Sequence, residues 1–208
     1  MLITYILLGI NLLASLYVME KMDQKYRLML NPFACKHNGQ WYRMITHAFI
    51  HADFMHLFFN LFVLYTFGRI VEAEFVAIFD MKGYYYFSLL FLGGIFFSTL
   101  PSFYKHSDNP NYYSLGASGA VSAVVFSFII LYPEMDLYLI FLPIPIPGFI
   151  FGGLYLLVEY FMSKRSSSRI AHDAHLFGGL FGIAFTLLID FDLFYRFINK
   201  LQIFFSNL

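Results

Sequence analysis

Six residues of this sequence have the types and spacing that could catalyse a reaction: one serine, four histidines and one asparagine. The serine, Ser118, lies in the small-residue run Gly116-Ala-Ser-Gly-Ala. A serine hydroxyl is a weak nucleophile until a base removes its proton, and imidazole is the side chain best suited to remove it. We therefore take His175 as a candidate base and acyl transfer as the candidate chemistry. A lone serine at a helix start is otherwise a packing residue or an N-cap.

Glycines predict how this serine and histidine could meet. His175 and Gly182 are seven residues apart, about two helical turns, and Gly178 lies close to the same face. Paired small residues of this kind let two membrane helices pack closely. We expect that face to pack on the small residues around the serine and so carry His175 to Ser118. Those small residues are Gly116, Ala117, Gly119, Ala120 and Ala123.

A carboxylate close to the histidine raises the question of a triad. Asp173 precedes His175 by two residues, which on a helix is about 200 degrees of rotation and places it on the far side. We interpret Asp173 as the N-cap of its helix. The sequence therefore predicts a Ser-His dyad.

The other polar residues lie upstream. His56 and Asn60 are four residues apart and share one helix face. Both can donate hydrogen bonds, as an oxyanion hole requires. A structural hydrogen-bond pair between helices is the alternative interpretation. His47 and His51 lie just before them, where interfacial histidines are the simplest interpretation.

Composition shows which elements must position these residues. Of 208 residues, 60% are hydrophobic and only 12% are charged, against about 25% in soluble domains. This predicts an integral membrane protein. Lys and Arg number 13 and Asp and Glu number 13, so no basic field favours nucleic acid. A single cysteine, Cys35, provides neither an internal disulfide nor a thiolate cluster.

Charge-poor stretches predict an all-α bundle of six transmembrane helices, because backbone exposed to lipid must satisfy its own hydrogen bonds. Alternate helices enter from the same membrane face, so the second, fourth and sixth bring the candidate residues to one depth. Residues 20–50 are predicted to lie in the headgroup region. Within one domain at 1–208, the predicted helices are 2–19, 51–71, 83–104, 116–132, 148–162 and 173–190, the fifth shortened by the prolines before it.

Four motifs carry a resemblance to a known family. The sequence contains, in order, Trp41-Tyr-Arg43, His47-Ala-Phe-Ile-His51-Ala-Asp-Phe-Met-His56-Leu-Phe-Phe-Asn60, Gly116-Ala-Ser-Gly119 and Ala174-His175-Leu-Phe-Gly178-Gly-Leu-Phe-Gly182. Together they resemble the rhomboid intramembrane serine proteases, over essentially the whole chain. The segment from Gly68 to Glu72 is similar to the family's stretch at the end of the second helix.

The resemblance implies roles for these residues. Ser118 would be the nucleophile and His175 the general base, while His56, Asn60 and the backbone N–H of Ser118 would hold the oxyanion. Ser122, one turn after the serine, departs from the family, where that position is often aromatic and stacked on the base. Residues that would support the site are Trp41, Arg43, His47, Gly116, Gly119, Gly178 and Gly182.

The implied activity is hydrolysis of a peptide bond in or near a transmembrane helix of a membrane-protein substrate, with no metal or other cofactor. The partners would be transmembrane proteins and membrane lipids, and not nucleic acid. The short fifth helix, with prolines before it and residues 163–169 after it, is the expected gate through which substrate enters from lipid.

Two other functions remain open. A metal or haem membrane protein could use the ligands His47, His51, His56, His172 and His175, but no His-Glu-x-x-His motif occurs and no carboxylate accompanies the histidines along the predicted buried face. A catalytically inactive rhomboid-like binding protein is the second alternative. The presence of both Ser118 and His175 argues against it.

The distribution of cations bears on orientation. Nine cations fall on the predicted active-site side and four on the other, which by the positive-inside rule places the active site in the cytoplasm. The nine are Lys21, Lys25, Arg27, Lys36, Arg43, Lys105, Lys164, Arg165 and Arg169; the four are Arg69, Lys82, Arg196 and Lys200. The resemblance implies the opposite arrangement, in a bacterial inner membrane with an extracytoplasmic active site, and that is our expectation. Cys35, as the only thiol, would report the orientation by maleimide labelling.

Overall fold

The computed structural model describes residues 1–139, 142–164 and 171–207, whose regular structure is mostly helical. A 3-10 turn, His47–Phe49, follows the fourth helix, and a π-helical turn, Leu64–Gly68, joins the fifth to the sixth as one continuous helix. The helices are α1 (Leu2–Val18), α2 (Met22–Leu28), α3 (Pro32–Asn38), α4 (Arg43–Thr46), α5 (Phe54–Val63), α6 (Arg69–Phe79), α7 (Lys82–His106), α8 (Ser118–Leu131), α9 (Gly148–Ser163), α10 (His172–Ile189) and α11 (Phe191–Ser206).

The connection between α8 and α9 is a β-hairpin, so the all-helical prediction is wrong there. Strands β1 (Asp136–Leu139) and β2 (Leu142–Pro147) pair antiparallel, with Asp136 opposite Pro147 and Leu137 opposite Ile146. Proline every second residue excludes a helix. It still leaves alternate N–H groups on one side of the strand, which is enough for a single ladder at an edge. Residues 140 and 141 lie outside the described residues.

Two helices begin later than predicted. Helix α5 starts at Phe54 rather than at residue 51, because Asp53 is its N-cap and its Oδ1 accepts from the His56 N–H at 2.9 Å. Through α6 it continues to Phe79, beyond the predicted end at 71. Helix α8 starts at Ser118 rather than at 116, because Gly116 has a φ of 116°, which no right-handed helix contains. The other four predicted helices differ from the observed ones by at most two residues at either end.

An additional helix, α11, follows α10. Asp190 caps it by accepting from the Asp192 N–H at 2.9 Å. It packs on the end of α8, where Lys200 Nζ donates to the Leu131 carbonyl at 2.7 Å. Charged residues occur at intervals along this stretch, so its sequence contains no charge-poor run that would predict a span.

Helix α8 is at the centre of the bundle, packed on α7 and α10 and with nearly all of its residues buried. Peripheral helices expose large hydrophobic side chains, such as Leu13 on α1 and Leu157 on α9, as a lipid environment permits. Two described helices, α7 and α10, are both long and apolar enough to cross a membrane, while α1, α8 and α9 are apolar but shorter. The count of six spanning helices therefore stays a prediction.

Candidate active site

Ser118 and His175 face each other across the α8–α10 contact. The Ser118 Oγ lies 2.8 Å from the His175 Nε2, a hydrogen-bond distance. Ser118 is the first residue of α8 and His175 lies in the first turn of α10, so both side chains sit at the same end of the bundle. Both are partly buried. The arrangement suits proton transfer from the hydroxyl to the imidazole.

Two glycines make this approach possible. A methyl group at Gly178 would overlap the carbonyl of Gly119, and one at Gly182 would overlap the carbonyl of Ala123. The α10 backbone therefore contacts the α8 backbone directly, through the faces that the sequence predicts. On the other side of α8, a methyl at Gly119 would overlap Ser98 of α7.

The residues just before Ser118 are held by the first connection. Gly116 has a positive φ of 116°, and its N–H donates to the His47 carbonyl at 2.9 Å. A side chain there would also lie 2.6 Å from the His56 ring. Glycine is therefore required twice, for the backbone conformation and for the approach of His56.

Two histidines, for which an interfacial position was one interpretation, are buried. His47 is 6% exposed, and its Nε2 lies 3.1 Å from the Thr99 Oγ1 on α7. His51 is fully buried: its Nε2 accepts from the Ala117 N–H at 3.4 Å, and its Nδ1 lies 2.9 Å from the Ser15 Oγ. Their burial argues against the interfacial interpretation, and the supporting role that the resemblance implies for His47 stays a prediction.

Burial also determines the charge of these two rings. It lowers the pKa of His47 to about 4 and, together with the neighbouring His56, the pKa of His51 to about 3. Both rings are therefore neutral at physiological pH. A neutral imidazole has one nitrogen that donates and one that accepts a hydrogen bond, as a structural role of this kind requires. The sequence motif contained His51, but its position next to the serine segment became visible only in the fold.

Within the described ranges, the hydrogen bonds of the His56 and Asn60 side chains are local. The Ala52 N–H donates to the His56 Nδ1 in a long contact of 3.5 Å, which leaves the proton on Nε2. The ring lies against Gly116, two residues before the serine. The Asn60 Nδ2 donates to the His56 carbonyl at 2.9 Å, and its second N–H is a further possible donor. Neither bond joins two helices, whereas the alternative interpretation was a structural hydrogen-bond pair between helices.

A carboxylate that sequence reasoning missed contacts the histidine. The Glu159 Oε1, on α9, lies 3.1 Å from the His175 Nδ1, and its Oε2 lies 2.6 Å from the His172 Nδ1. Glu159 is 7% exposed. The conclusion that no carboxylate accompanies the histidines is therefore wrong. The available signal was one acidic residue within an otherwise uncharged apolar helix.

Asp173 has a different role from the one predicted. Ala171, not Asp173, is the N-cap of α10, since the helix already begins at His172. The Asp173 Oδ2 pairs with Lys105 Nζ of α7 at 3.1 Å. The prediction that Asp173 faces away from the site agrees with this contact, but the N-cap assignment is wrong.

Among the described residues, one group has enough donors for a metal ion: the ligand atoms of Glu159, His172 and His175 lie within 4.8 Å of one another. Each carboxylate oxygen, however, is already hydrogen-bonded to one imidazole. Both Glu159 oxygens therefore have partners without an ion, while the buried Nε2 of His172 has no partner among the described residues.

The first connection is organised by Arg43. Its guanidinium is buried and donates to the carbonyls of Tyr26 at 2.6 Å and Met29 at 2.8 Å, which fixes the end of α2. Trp41 is exposed and packs on Phe103 of α7, with ring centroids 5.6 Å apart.

Cys35 is a poor reporter of orientation. It is fully buried in α3 and its thiol lies 3.4 Å from the Gln40 carbonyl. Burial raises the pKa of the thiol, so that both access and reactivity are low. The labelling experiment based on Cys35 must therefore use another position.

A comparison with family models matches residues 38–190 to the Rhomboid domain. Among similar proteins is the RHOMBOID-like protein 12, mitochondrial, of Arabidopsis thaliana, 30% identical over 181 residues, which cover 82% of this chain and 52% of that protein. The Rhomboid-like protein 11, chloroplastic, of the same plant is 28% identical over 72% of this chain and 53% of its own length. The putative rhomboid protease YdcA of Bacillus subtilis is 30% identical over 46% of this chain and 44% of its own length.

The length and the location of these relatives also bear on this chain. The chain spans about half the length of the relatives it matches. Their names include a mitochondrial, a chloroplastic and a bacterial protein, so they do not support the expected bacterial inner membrane over an organellar one.

Proposed function

Because this chain belongs to the rhomboid family, whose domain its residues 38–190 match, we propose that it is an intramembrane serine protease in which Ser118 attacks the scissile peptide bond and His175 is the general base. The observation that supports this most directly is the 2.8 Å separation of the Ser118 Oγ and His175 Nε2. Two helices that meet through glycine hold these atoms in place, so the pair is preorganised.

The chemistry follows from this geometry. The Ser118 Oγ bonds to the carbonyl carbon of the substrate while its proton passes to the His175 Nε2. When the tetrahedral intermediate collapses, the C–N bond breaks and His175 returns the proton to the leaving amine. Water then attacks the acyl-enzyme, again with His175 as base, and releases the new carboxyl group and the free serine.

The oxyanion would be stabilised from two sides. The first N–H groups of α8, beginning with that of Ser118, lack partners within the helix and lie at its positive end. On the other side, the Nε2–H of His56 and the second amide N–H of Asn60 supply donors from α5.

Substrate would enter sideways from the lipid beside α9, which exposes an apolar outer face that includes Leu154, Leu157 and Phe161. Helix α9 begins at the proline hairpin and ends at Ser163; of the tether proposed at residues 163–169, only Ser163 and Lys164 are described. If α9 is the gate, a crosslink that holds it on α10 should block cleavage. Unchanged cleavage in the crosslinked protein would contradict the gate.

The decisive experiment is cleavage of a generic transmembrane substrate in detergent by the wild type, Ser118→Ala and His175→Ala. We expect both variants to lose cleavage, and Ser118→Ala to lose labelling by a fluorophosphonate, which reacts with activated serines. Cleavage that persists in Ser118→Ala would contradict the proposal. Inactive wild type that binds transmembrane helices would instead favour a binding protein.

The Glu159, His172 and His175 cluster is the observation that favours a metal protein as second candidate. Cleavage sensitive to chelators, together with full activity in Ser118→Ala, would support it. We expect neither result, since the Nε2 of His175 is directed at the serine.

We infer that the site opens on the membrane face away from the cytoplasm, as the resemblance implies. The excess of cations on that side is weaker than a count indicates. Lys25 and Arg43 are buried against backbone carbonyls in the first connection, so they are not ordinary loop charges. Arg165 and Arg169 lie outside the described residues. Which membrane it is, bacterial or organellar, is a separate question.

A further inference from the structure

We propose that Glu159 is a positioning residue that turns the Ser118–His175 pair into a triad and makes catalysis depend on α9 being seated against α10. The inference rests on the proposed protease function. It adds a residue, an element and a dependence that the sequence motifs do not indicate.

The three side chains form one line of hydrogen bonds. The Ser118 Oγ lies 2.8 Å from the Nε2 of His175, and the Glu159 Oε1 lies 3.1 Å from the Nδ1 of the same ring. A carboxylate accepts only, so it holds the proton on Nδ1 and leaves the Nε2 lone pair facing the serine. That tautomer is the one a general base needs. A negative charge at this place also stabilises the imidazolium that forms when the serine is deprotonated.

The carboxylate is itself held. Its other oxygen, Oε2, lies 2.6 Å from the Nδ1 of His172, one turn before His175 on α10. Both oxygens are thus engaged with the same helix, which leaves the carboxylate little freedom to rotate away. The side chain of Glu159 is 9% exposed, so solvent competes weakly with these bonds.

The position next to the serine supports the same role. Ser122, one turn after Ser118, carries no ring that could stack on His175; its Oγ lies 3.4 Å from the Tyr155 hydroxyl. Tyr155 lies one turn before Glu159 on α9. Side chains of α9 therefore occupy the flank of the site, and the ring of His175 is oriented from α9 through its Nδ1 instead of by stacking from α8.

A purely structural ion pair would be the simpler interpretation of a buried Glu between two histidines. Such a pair could use His172 alone. The carboxylate instead divides its oxygens and contacts the ring that bonds the serine. An acidic residue within a membrane helix is costly, and in this helix it is the only charged one. If α9 leaves α10, as in the gate hypothesis, His175 loses this carboxylate, so cleavage requires α9 to return after substrate has entered.

The test compares full-length Glu159→Gln and Glu159→Asp with the wild type in detergent, by kcat and KM for a transmembrane substrate and by the rate of fluorophosphonate labelling. Gln matches the shape of Glu without its charge. We expect kcat and labelling to fall at least about 10²-fold in Glu159→Gln with little change in KM or thermal midpoint. Glu159→Asp keeps the charge on a side chain that is one methylene shorter. Its kcat and labelling rate should be at least about tenfold higher than those of Glu159→Gln.

The matched control is Glu74→Gln on α6, a carboxylate that accepts from the Tyr132 hydroxyl at 2.6 Å, far along the chain from the site. Its kcat should equal that of the wild type. If Glu159→Gln does not fold, Glu159→Asp decides, since a triad requires its kcat to drop while the protein stays folded.

Two results would overturn the triad. One is a folded Glu159→Gln variant with the kcat and labelling rate of the wild type. If that variant does not fold, the same result in folded Glu159→Asp would overturn the triad. The other is an equal loss in both variants that follows a lowered thermal midpoint, because a structural tether would do the same. An active Ser118→Ala, by contrast, would remove the protease proposal itself, whereas an inactive Ser118→Ala with an active Glu159→Gln removes only the triad.

Discussion

At the scale of residues, the polar groups around the serine are each held by a specific partner. The backbone carbonyl of His47 accepts a hydrogen bond from the Gly116 N–H, and its ring contacts Thr99. The ring of His51 accepts a hydrogen bond from the Ala117 N–H. These contacts fix the two residues before Ser118. Both rings are neutral in the fold, because burial makes the charged form costly.

This predicts a pH dependence of stability. The pKa of His47 is about 6.5 when unfolded and about 4 in the fold. Below pH 6.5 the unfolded chain therefore binds a proton at this histidine that the folded protein does not bind. The free energy of unfolding consequently falls as the pH is lowered from 6.5 to 4, by roughly 3 kcal/mol for this residue. Thermal midpoints in detergent across this range measure the loss.

His47→Gln should reduce the pH slope by the contribution of one proton, about 1.4 kcal/mol per pH unit. His37→Gln is the control, since His37 is exposed. A wild-type midpoint that does not change between pH 6.5 and 4 would contradict the assignment.

At the scale of elements, the site depends on how closely α8 and α10 approach. Gly178 and Gly182 allow backbone contact, and His175 extends from the same face to the serine. In lipid, where no hydrophobic effect pulls helices together, such close packing is a main source of association. The spacing of small residues therefore predicts both the contact and the position of the base.

Gly182→Ala should separate the two helices at Ala123 and shift His175 relative to Ser118. We expect cleavage to fall at least about tenfold, since displacements of about 1 Å at a reacting pair cost as much or more, and the thermal midpoint to fall as well. Gly9→Ala is the matched control, because a methyl on that residue meets nothing within 4 Å. Equal activity of both variants would show that the α8–α10 distance is not limiting.

At the scale of the whole molecule, the chain is a membrane protein of the rhomboid family that spans about half the length of its relatives. Its candidate site lies at one end of the bundle, where α5, α8 and α10 begin and α9 ends. The opposite end carries the hairpin and α11. The two ends can therefore be labelled separately.

Orientation can be measured with two introduced thiols in a Cys35→Ser background. Asn111→Cys lies in the exposed connection between α7 and α8, on the active-site side, and Gln202→Cys lies on an exposed position of α11. With the site facing away from the cytoplasm, an impermeant maleimide applied to intact cells that carry the protein in the plasma membrane should label Asn111→Cys at once and Gln202→Cys only after lysis. The reverse pattern would place the site in the cytoplasm.

The sequence alone was enough to predict the membrane environment, the serine and histidine that face each other, and the glycine face between them. These are properties of composition and of helical periodicity, which act over one or two turns. The proline hairpin could not be predicted in the same way, because an interrupted helix has several possible replacements. Helix α11 was not predicted either, since its charged residues interrupt the apolar pattern of a membrane span.

Only the tertiary structure revealed the partners of the site. Asp173, two residues from His175, pairs with Lys105, whereas Glu159, sixteen residues away on another helix, contacts the ring. His51 bridges α1 and the segment before α8. Periodicity determines which face of a helix a residue occupies. Which other helix covers that face depends on packing between segments that are distant along the chain, and this is why the orienting carboxylate became visible only in the fold.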